Sequence, residues 1–279
     1  MANPIGTNGT HKTQERYVNE IVPLIRQEFN IRNDFSRDYE GNPVSGAVKV
    51  PTRNNDIVLS DYDILNGIEL KQSATEYLDI LIDNHVGFSE LIDGYEAEAV
   101  PDNIKAQRLE SAGYVTGKQL EESAINALLE GGTVSEDTTP LTAENVYAKI
   151  AEYVKNMKKR GIRANEMKIA VSAETELLLL TDNKFANTSG TLGAELVREG
   201  VIGKIAGVAT KPNYLLDDKG VEFVIYASRW CQAIDEWEAE PAINDIKDGK
   251  HIKASALQGR MVYKDVVTNP LAVQIKKNA

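Results

Sequence analysis

The feature that most limits what this chain can fold into is a stretch from about Gly41 to Ile82. It reads as two extended segments around a turn-rich middle. Val44-Ser45-Gly46-Ala47-Val48-Lys49-Val50 has strand character and stops at Pro51. Asn54-Asn55-Asp56, Asp61-Tyr62-Asp63 and Asn66-Gly67 follow, all of them turn chemistry. A second extended segment runs from about Ile68 and ends in alternation at Leu78, Ile80 and Ile82. Two arms of roughly 12–15 residues at ~3.3 Å each would span roughly 40–50 Å. The outer part mixes polarity on both faces, and an isolated two-stranded hairpin is marginal in water. The expectation is a long hairpin held by something outside its own subunit.

On either side the patterning is more ordinary. Residues 1–20 are polar and read as an arm, with a short helix expected over Tyr17 to Phe29. Val86 to Asp93 reads as a strand. From Asp102 to Leu129 helix formers dominate, with apolar marks at Ile104, Leu109, Ala112, Leu120, Ala124 and Leu128 and a stop at Gly131-Gly132. Gly113 and Gly117 are expected to bend or weaken that helix. A second helix has Thr142 as its expected N-cap, an apolar face at Val146, Ile150, Val154 and Met157, and Lys158-Lys159-Arg160 before Gly161. A buried strand over Met167–Val171 leads to a helix capped by Ser172. A loop at 182–190, a helix at 192–199 and strands near 205–210 and 221–227 complete a compact α/β region from about 142 to 250. The tail, 255–277, holds two extended segments split by Thr268-Asn269-Pro270.

Composition excludes several classes. A hydrophobic fraction of 42% with 26% charged residues is that of a globular protein. The net charge of -11 argues against a surface built to grip phosphates. A single cysteine, Cys231, forms no internal disulfide and suits a reducing compartment. The first 20 residues lack the apolar core of a secretory signal, and no apolar run reaches the ~18–20 residues of a membrane helix.

Groups able to do chemistry are sparse. His11, His85 and His251 stand in unlike contexts, and neither HExxH nor paired-cysteine spacing offers a zinc site. Gly113-Tyr114-Val115-Thr116-Gly117-Lys118 has too few residues between its glycines for a phosphate loop, and Gln119 follows the lysine. Asp61 to Gly67 hints at a calcium loop, but Leu65 occupies a ligand position and Gln72 stands where a glutamate is needed. Glu90, Asp93, Glu96, Glu98 and Asp102 form an acidic group suited to acid–base work or cation binding; a solvated or interfacial loop is the favoured reading. Cys231, between aromatic residues Trp230 and Trp237, reads as a buried small hydrophobe. Catalytic, cofactor and metal residues are therefore assigned to none.

The order of elements carries a resemblance. A polar arm, a long hairpin, a strand, a long helix, a compact α/β region and a returning tail together resemble the major capsid proteins of tailed double-stranded-DNA bacteriophages. The most telling stretches are Ala74–Asp83 with Phe88–Asp93, Asn165–Ser172, and Gly259–Tyr263 with Val267-Thr268-Asn269-Pro270. The resemblance implies an α+β chain of the tailed-phage major capsid fold, shared with encapsulin shell proteins. Its parts would be an N-terminal arm (1–40), an extended β-hairpin loop (41–82), a peripheral domain with a spine helix (83–132, completed by 252–279) and a compact α/β axial domain (133–251). It further implies self-assembly as pentamers and hexamers into an icosahedral head in the host bacterial cytoplasm. The partners implied are other copies of the chain, a separate scaffolding protein, a portal protein at one vertex and packaged double-stranded DNA bound without sequence specificity. No membrane and no cofactor are expected. Candidate intersubunit contacts are Lys49, Arg53, Asp56, Asp61, Asp63 and Lys71. The alternatives are an encapsulin-like nanocompartment shell and an acidic enzyme using the Glu90–Asp102 carboxylates.

Overall fold

A two-stranded ribbon and two larger sheets, packed on one long helix, organise the described residues. A computed structural model describes residues 26–27, 29–38, 47–52, 59–68, 76–94, 104–182, 185, 202–247, 250 and 253–278. Strands β1 (Ala47–Thr52) and β2 (Glu76–Leu81) form a two-stranded antiparallel ribbon. Strands β3 (Asn84–Asp93), β9 (Cys231–Asp245) and β10 (Ala254–Val267) form a three-stranded sheet with β10 in the middle. A six-stranded sheet has the order β4-β11-β8-β5-β7-β6, comprising β4 (Thr133–Val134), β5 (Met167–Val171), β6 (Gly203–Ile205), β7 (Val208–Pro212), β8 (Val221–Ala227) and β11 (Val273–Lys277).

The expected α/β region folds around β8, whose period-2 alternation places its two faces in two separate cores. Phe223, Ile225 and Ala227 join Met167, Ile169 and Val171 of β5 beneath the helix Val146–Lys159, here α2. That helix contributes Val146, Ile150, Val154 and Met157, the apolar face expected from its spacing. On the other face Val224 and Tyr226 meet Val273 and Ile275 of β11 and the end of the long helix α1 (Ile104–Gly131). The helix Ala173–Thr181, α3, starts at Ser172, whose hydroxyl accepts the Thr175 N–H at 3.3 Å, as expected of that cap. A single turn, α4 (Leu215–Asp218), buries Leu215 and Leu216 in the second core.

Two expectations are corrected. First, α1 is one continuous helix of 28 residues, running through Gly113 and Gly117; its apolar end at Ala124, Ile125 and Leu128 is fully buried, and that packing outweighs the weak helix propensity of two glycines. Second, Thr142 does not cap α2. The Thr142 carbonyl accepts from Asn145 and Val146, the Asn145 side chain accepts the Thr142 N–H at 2.8 Å, and the helix begins after this closed turn. The paired strands Ala47–Thr52 and Glu76–Leu81 fall within the expected hairpin, whose stretches 41–46, 53–58 and 69–75 lie outside the described residues. The helix expected at 192–199 and that at Tyr17–Phe29 lie outside the described residues, apart from the end of the latter.

The tail is shared between the sheets. β10 belongs to the three-stranded sheet, whereas β11 sits inside the six-stranded one, between β4 and β8. Gly131 and Gly132 do more than stop α1. A Cβ on Gly131 would lie 2.7 Å from the Val267 Cβ, and one on Gly132 would lie 2.6 Å from a Val273 methyl. The glycine pair lets the helix end sit directly against both strands of the tail.

Candidate functional site: the hairpin and its anchorage

The hairpin is amphipathic across its thickness. Val48 and Val50 on β1 lie opposite Ile80 and Leu78 on β2, so all four share one face. That face packs with Ile82 against Ile234 of β9 and Val262 of β10. The opposite face carries Lys49 across from Asp79, with Tyr77 and Leu81 exposed beside them. The Lys49–Asp79 ion pair, 3.6 Å apart and solvated, adds little stability. The ribbon is thus fixed to the three-stranded sheet at its base and presents Lys49 outward.

Farther along, residues 59–68 turn on themselves. The Asp63 carboxylate accepts the backbone N–H of Leu65 at 2.8 Å and the Asn66 side-chain amide at 2.8 Å, while the Asp63 carbonyl accepts the Gly67 N–H at 2.8 Å. Gly67 closes the turn at φ +72°, a left-handed conformation that suits glycine. The backbone N–H of Leu65 and the Asn66 amide hold the Asp63 carboxyl below the ordinary carboxylate range. On this tied turn Ile64 is 89% exposed and Leu65 91%, with Leu59, Tyr62 and Ile68 also exposed. Asp61 stands exposed just before it. Arg53, Asp56 and Lys71 lie outside the described residues.

The sequence reading missed this apolar run because it weighed the turn residues between the apolar ones. The spacing Leu59, Tyr62, Ile64, Leu65, Ile68 was visible all along. Of the acidic group, Glu90 is held by Arg108, whose Nε donates to it at 2.8 Å. Glu96, Glu98 and Asp102 lie outside the described residues. Among the described residues no group of three or more histidine, cysteine or carboxylate side chains is placed to hold a metal.

The other feature that sequence patterning did not reveal is the polar joint behind the hairpin. Glu121 on α1 is buried and faces the segment Asn30–Arg32. Its carboxylate accepts backbone N–H groups of Asn30 (3.0 Å), Ile31 (2.8 Å) and Arg32 (3.0 Å), and the Asn213 side-chain amide at 2.6 Å. Arg32 in turn donates to Asp265 of β10 and Asp235 of β9, each at 2.9 Å. Asp34 receives Lys211 at 3.1 Å and the Tyr226 hydroxyl at 3.0 Å. One short segment is therefore tied to the long helix and to both sheets. Such a joint fixes how the hairpin's platform sits relative to the six-stranded sheet.

No family model and no curated protein matches the chain. Among solved structures, a chain from Mycobacterium phage Che8 superposes with a TM-score of 0.71 at 18% identity, covering 96% of this chain and 97% of that one. A chain of the mature capsid of bacteriophage PhiM1 gives 0.74 at 15% identity, with 100% and 97% covered. The capsid of cyanophage P-SCSP1u gives 0.72 at 10% identity, with 95% and 93% covered. The chain has the phage capsid fold. The match extends over nearly the whole length of each chain.

Proposed function

We propose that the protein is the structural shell subunit of a tailed-phage head. The observation that carries this reading is the whole-chain match to phage capsid chains, at 93% or more of each partner's length. The hairpin supports it. Its base is packed, and its described outer stretch offers five exposed apolar side chains that a lone subunit has no reason to present to water.

In this reading residues 1–40 are the arm, 41–82 the extended loop, 83–132 with 252–279 the peripheral domain and 133–251 the axial domain. β9 and β11 cross that boundary, since each pairs in the other region's sheet. The subunit assembles with copies of itself as pentamers and hexamers in an icosahedral shell. The loop lies over an adjacent subunit, with Lys49, Arg53, Asp56, Asp61, Asp63 and Lys71 as polar contacts around the apolar tip. Each contact is modest, and the closed shell multiplies them. The net charge of -11 keeps packaged double-stranded DNA from adhering to the wall. A scaffolding protein and a portal protein at one vertex complete the partners, assembly takes place in the bacterial cytoplasm, and the chain performs no catalysis.

Electron microscopy of the purified chain, alone and with its scaffold supplied, tests the reading. Closed shells are expected. Monomers under every condition would overturn it.

A further inference from the structure

Strand β3 is a sheet edge. Among the described residues it pairs with β10 on one side and with no strand on the other. An open edge carries backbone N–H and C=O groups able to take a further strand, and proteins guard such edges with lysine, proline or a bulge. β9, the opposite edge of the same sheet, is guarded: Pro241 lies within it, and its ladder with β10 shifts register twice. β3 has no such guard. All ten of its residues pair with β10 in unbroken register, and the run 84–93 holds neither lysine nor proline. Its inner carboxylate, Glu90, is bound by Arg108.

His85, Gly87, Ser89, Leu91 and Asp93 alternate onto the exposed face of this strand. That face has a hollow and a knob. The hollow, about 460 Å³, lies at Gly87, in one cross-sheet row with Arg260 and Ala239, and His85, Ser89 and Gln258 line it too. The knob is Leu91, 53% exposed and four residues along the same strand.

A second β3 laid antiparallel to the first brings knob and hollow together. With Ser89 of each copy opposite Ser89 of the other, the two-fold sets Leu91 of each copy across from Gly87 of the other. The same register sets His85, an N–H donor, against the Asp93 carboxylate, and Val86 against Ile92 on the inner face. Slipping the pair by two residues sets Leu91 against His85 or Ser89 and leaves the hollow unfilled. Slipping it by one sets exposed face against inner face. We propose that β3 is a self-complementary edge that pairs with β3 of a second copy across a two-fold axis at Ser89. The inference rests on the edge itself and not on the shell reading.

The test is oxidative cross-linking of full-length chains that each carry one introduced cysteine, with circular dichroism to show that every variant is folded. The native Cys231 is buried and stays silent. Ser89→Cys is expected to give a covalent dimer on a non-reducing gel, because residues paired across an antiparallel ladder lie within disulfide reach. His85→Cys is the control. Its two copies would stand roughly 26 Å apart, eight residues of extended chain, and no dimer is expected. Adding Leu91→Lys to Ser89→Cys supplies the missing guard and is expected to slow cross-linking roughly tenfold. Adding Leu177→Lys, at an exposed leucine on α3, is expected to change the rate by less than about twofold. No dimer from folded Ser89→Cys would overturn the proposal, as would equal cross-linking of His85→Cys or a rate that Leu91→Lys leaves unchanged. Shells that close while Ser89→Cys stays uncross-linked would leave the shell reading standing and end this one.

Discussion

The Glu121 carboxylate accepts the backbone N–H of Ile31 at 2.8 Å, across 90 residues of sequence. With the Asn30 and Arg32 amides and the Asn213 side chain, this one carboxylate terminates four donors belonging to two separate segments. It acts as a cap made by a side chain from another helix.

Glu121→Ala should therefore be among the most damaging single substitutions in the chain. Each buried donor left without an acceptor costs about 1–3 kcal/mol, so a loss of roughly 3 kcal/mol or more is expected. Urea unfolding of the full-length chain measures it, with Glu130→Ala, on the exposed side of the same helix, expected to change stability little.

At the hairpin base, Ile80→Ala should cost about 2–4 kcal/mol if the small cluster with Val50, Ile82, Ile234 and Val262 is as closed as its burial shows. Leu81→Ala, on the outward face of the same strand, should leave stability within about 0.5 kcal/mol. A similar loss for both would mean that the ribbon is not seated on the sheet.

Asp63→Ala removes the acceptor that closes the tip, so it should leave the thermal midpoint of the subunit unchanged yet impair assembly. Ile64→Ser with Leu65→Ser should impair assembly while keeping the turn. Deleting 52–67 should leave a folded subunit that no longer closes into shells. Light scattering and microscopy read the assembly, and normal shells from all three would overturn the role given to the loop.

Acid titration separates two kinds of carboxyl. Burial raises the Asp265 carboxyl above its ordinary value of 3.8, with Arg32 opposing the shift. A raised carboxyl stabilises the fold most at low pH, and that contribution falls as pH rises through the raised value. Asp137, held low first by the Lys149 hydrogen bond, and Asp83, held low first by Lys264, act the other way: their contribution is present above 3.8 and lost below it. Between pH 4 and 7, then, Asp265→Asn should gain thermal midpoint relative to the parent as pH rises. A constant difference across that range would contradict the assignment.

Cys231 is buried, and burial pushes its thiol up to about 12. A thiol-specific disulfide reagent at pH 8 should label the native chain only as fast as it unfolds. Rapid stoichiometric labelling without denaturant would show that the β9 start is open.

Much of the fold was legible because it rests on periodicity. The faces of α2 and β8, the Ser172 cap and the glycine stop at 131–132 all follow from spacing that a single segment contains. The hairpin was legible for the same reason, through Leu78, Ile80 and Ile82 alternating against a turn-rich middle. What spacing cannot show is a partner distant in sequence. Glu121 reads as one more charge on a helix, and only the fold brings Asn30, Ile31 and Arg32 to it. Asp63 read as a contact candidate, and nothing local showed that its carboxylate also ties its own turn through Leu65 and Asn66. The split of the tail was hidden too, since β10 and β11 are both apolar strands and nothing local says which sheet each will join.

The place of β11 bears on how the molecule is made. It lies between β4 and β8, which both precede it in the chain, so the contact that joins β4 to β8 forms only after β11 has been made. The six-stranded sheet cannot close until Val273–Lys277 has emerged. Until then Val224 and Tyr226 lack Val273 and Ile275, and the open apolar surface and strand edges are exposed to unwanted association.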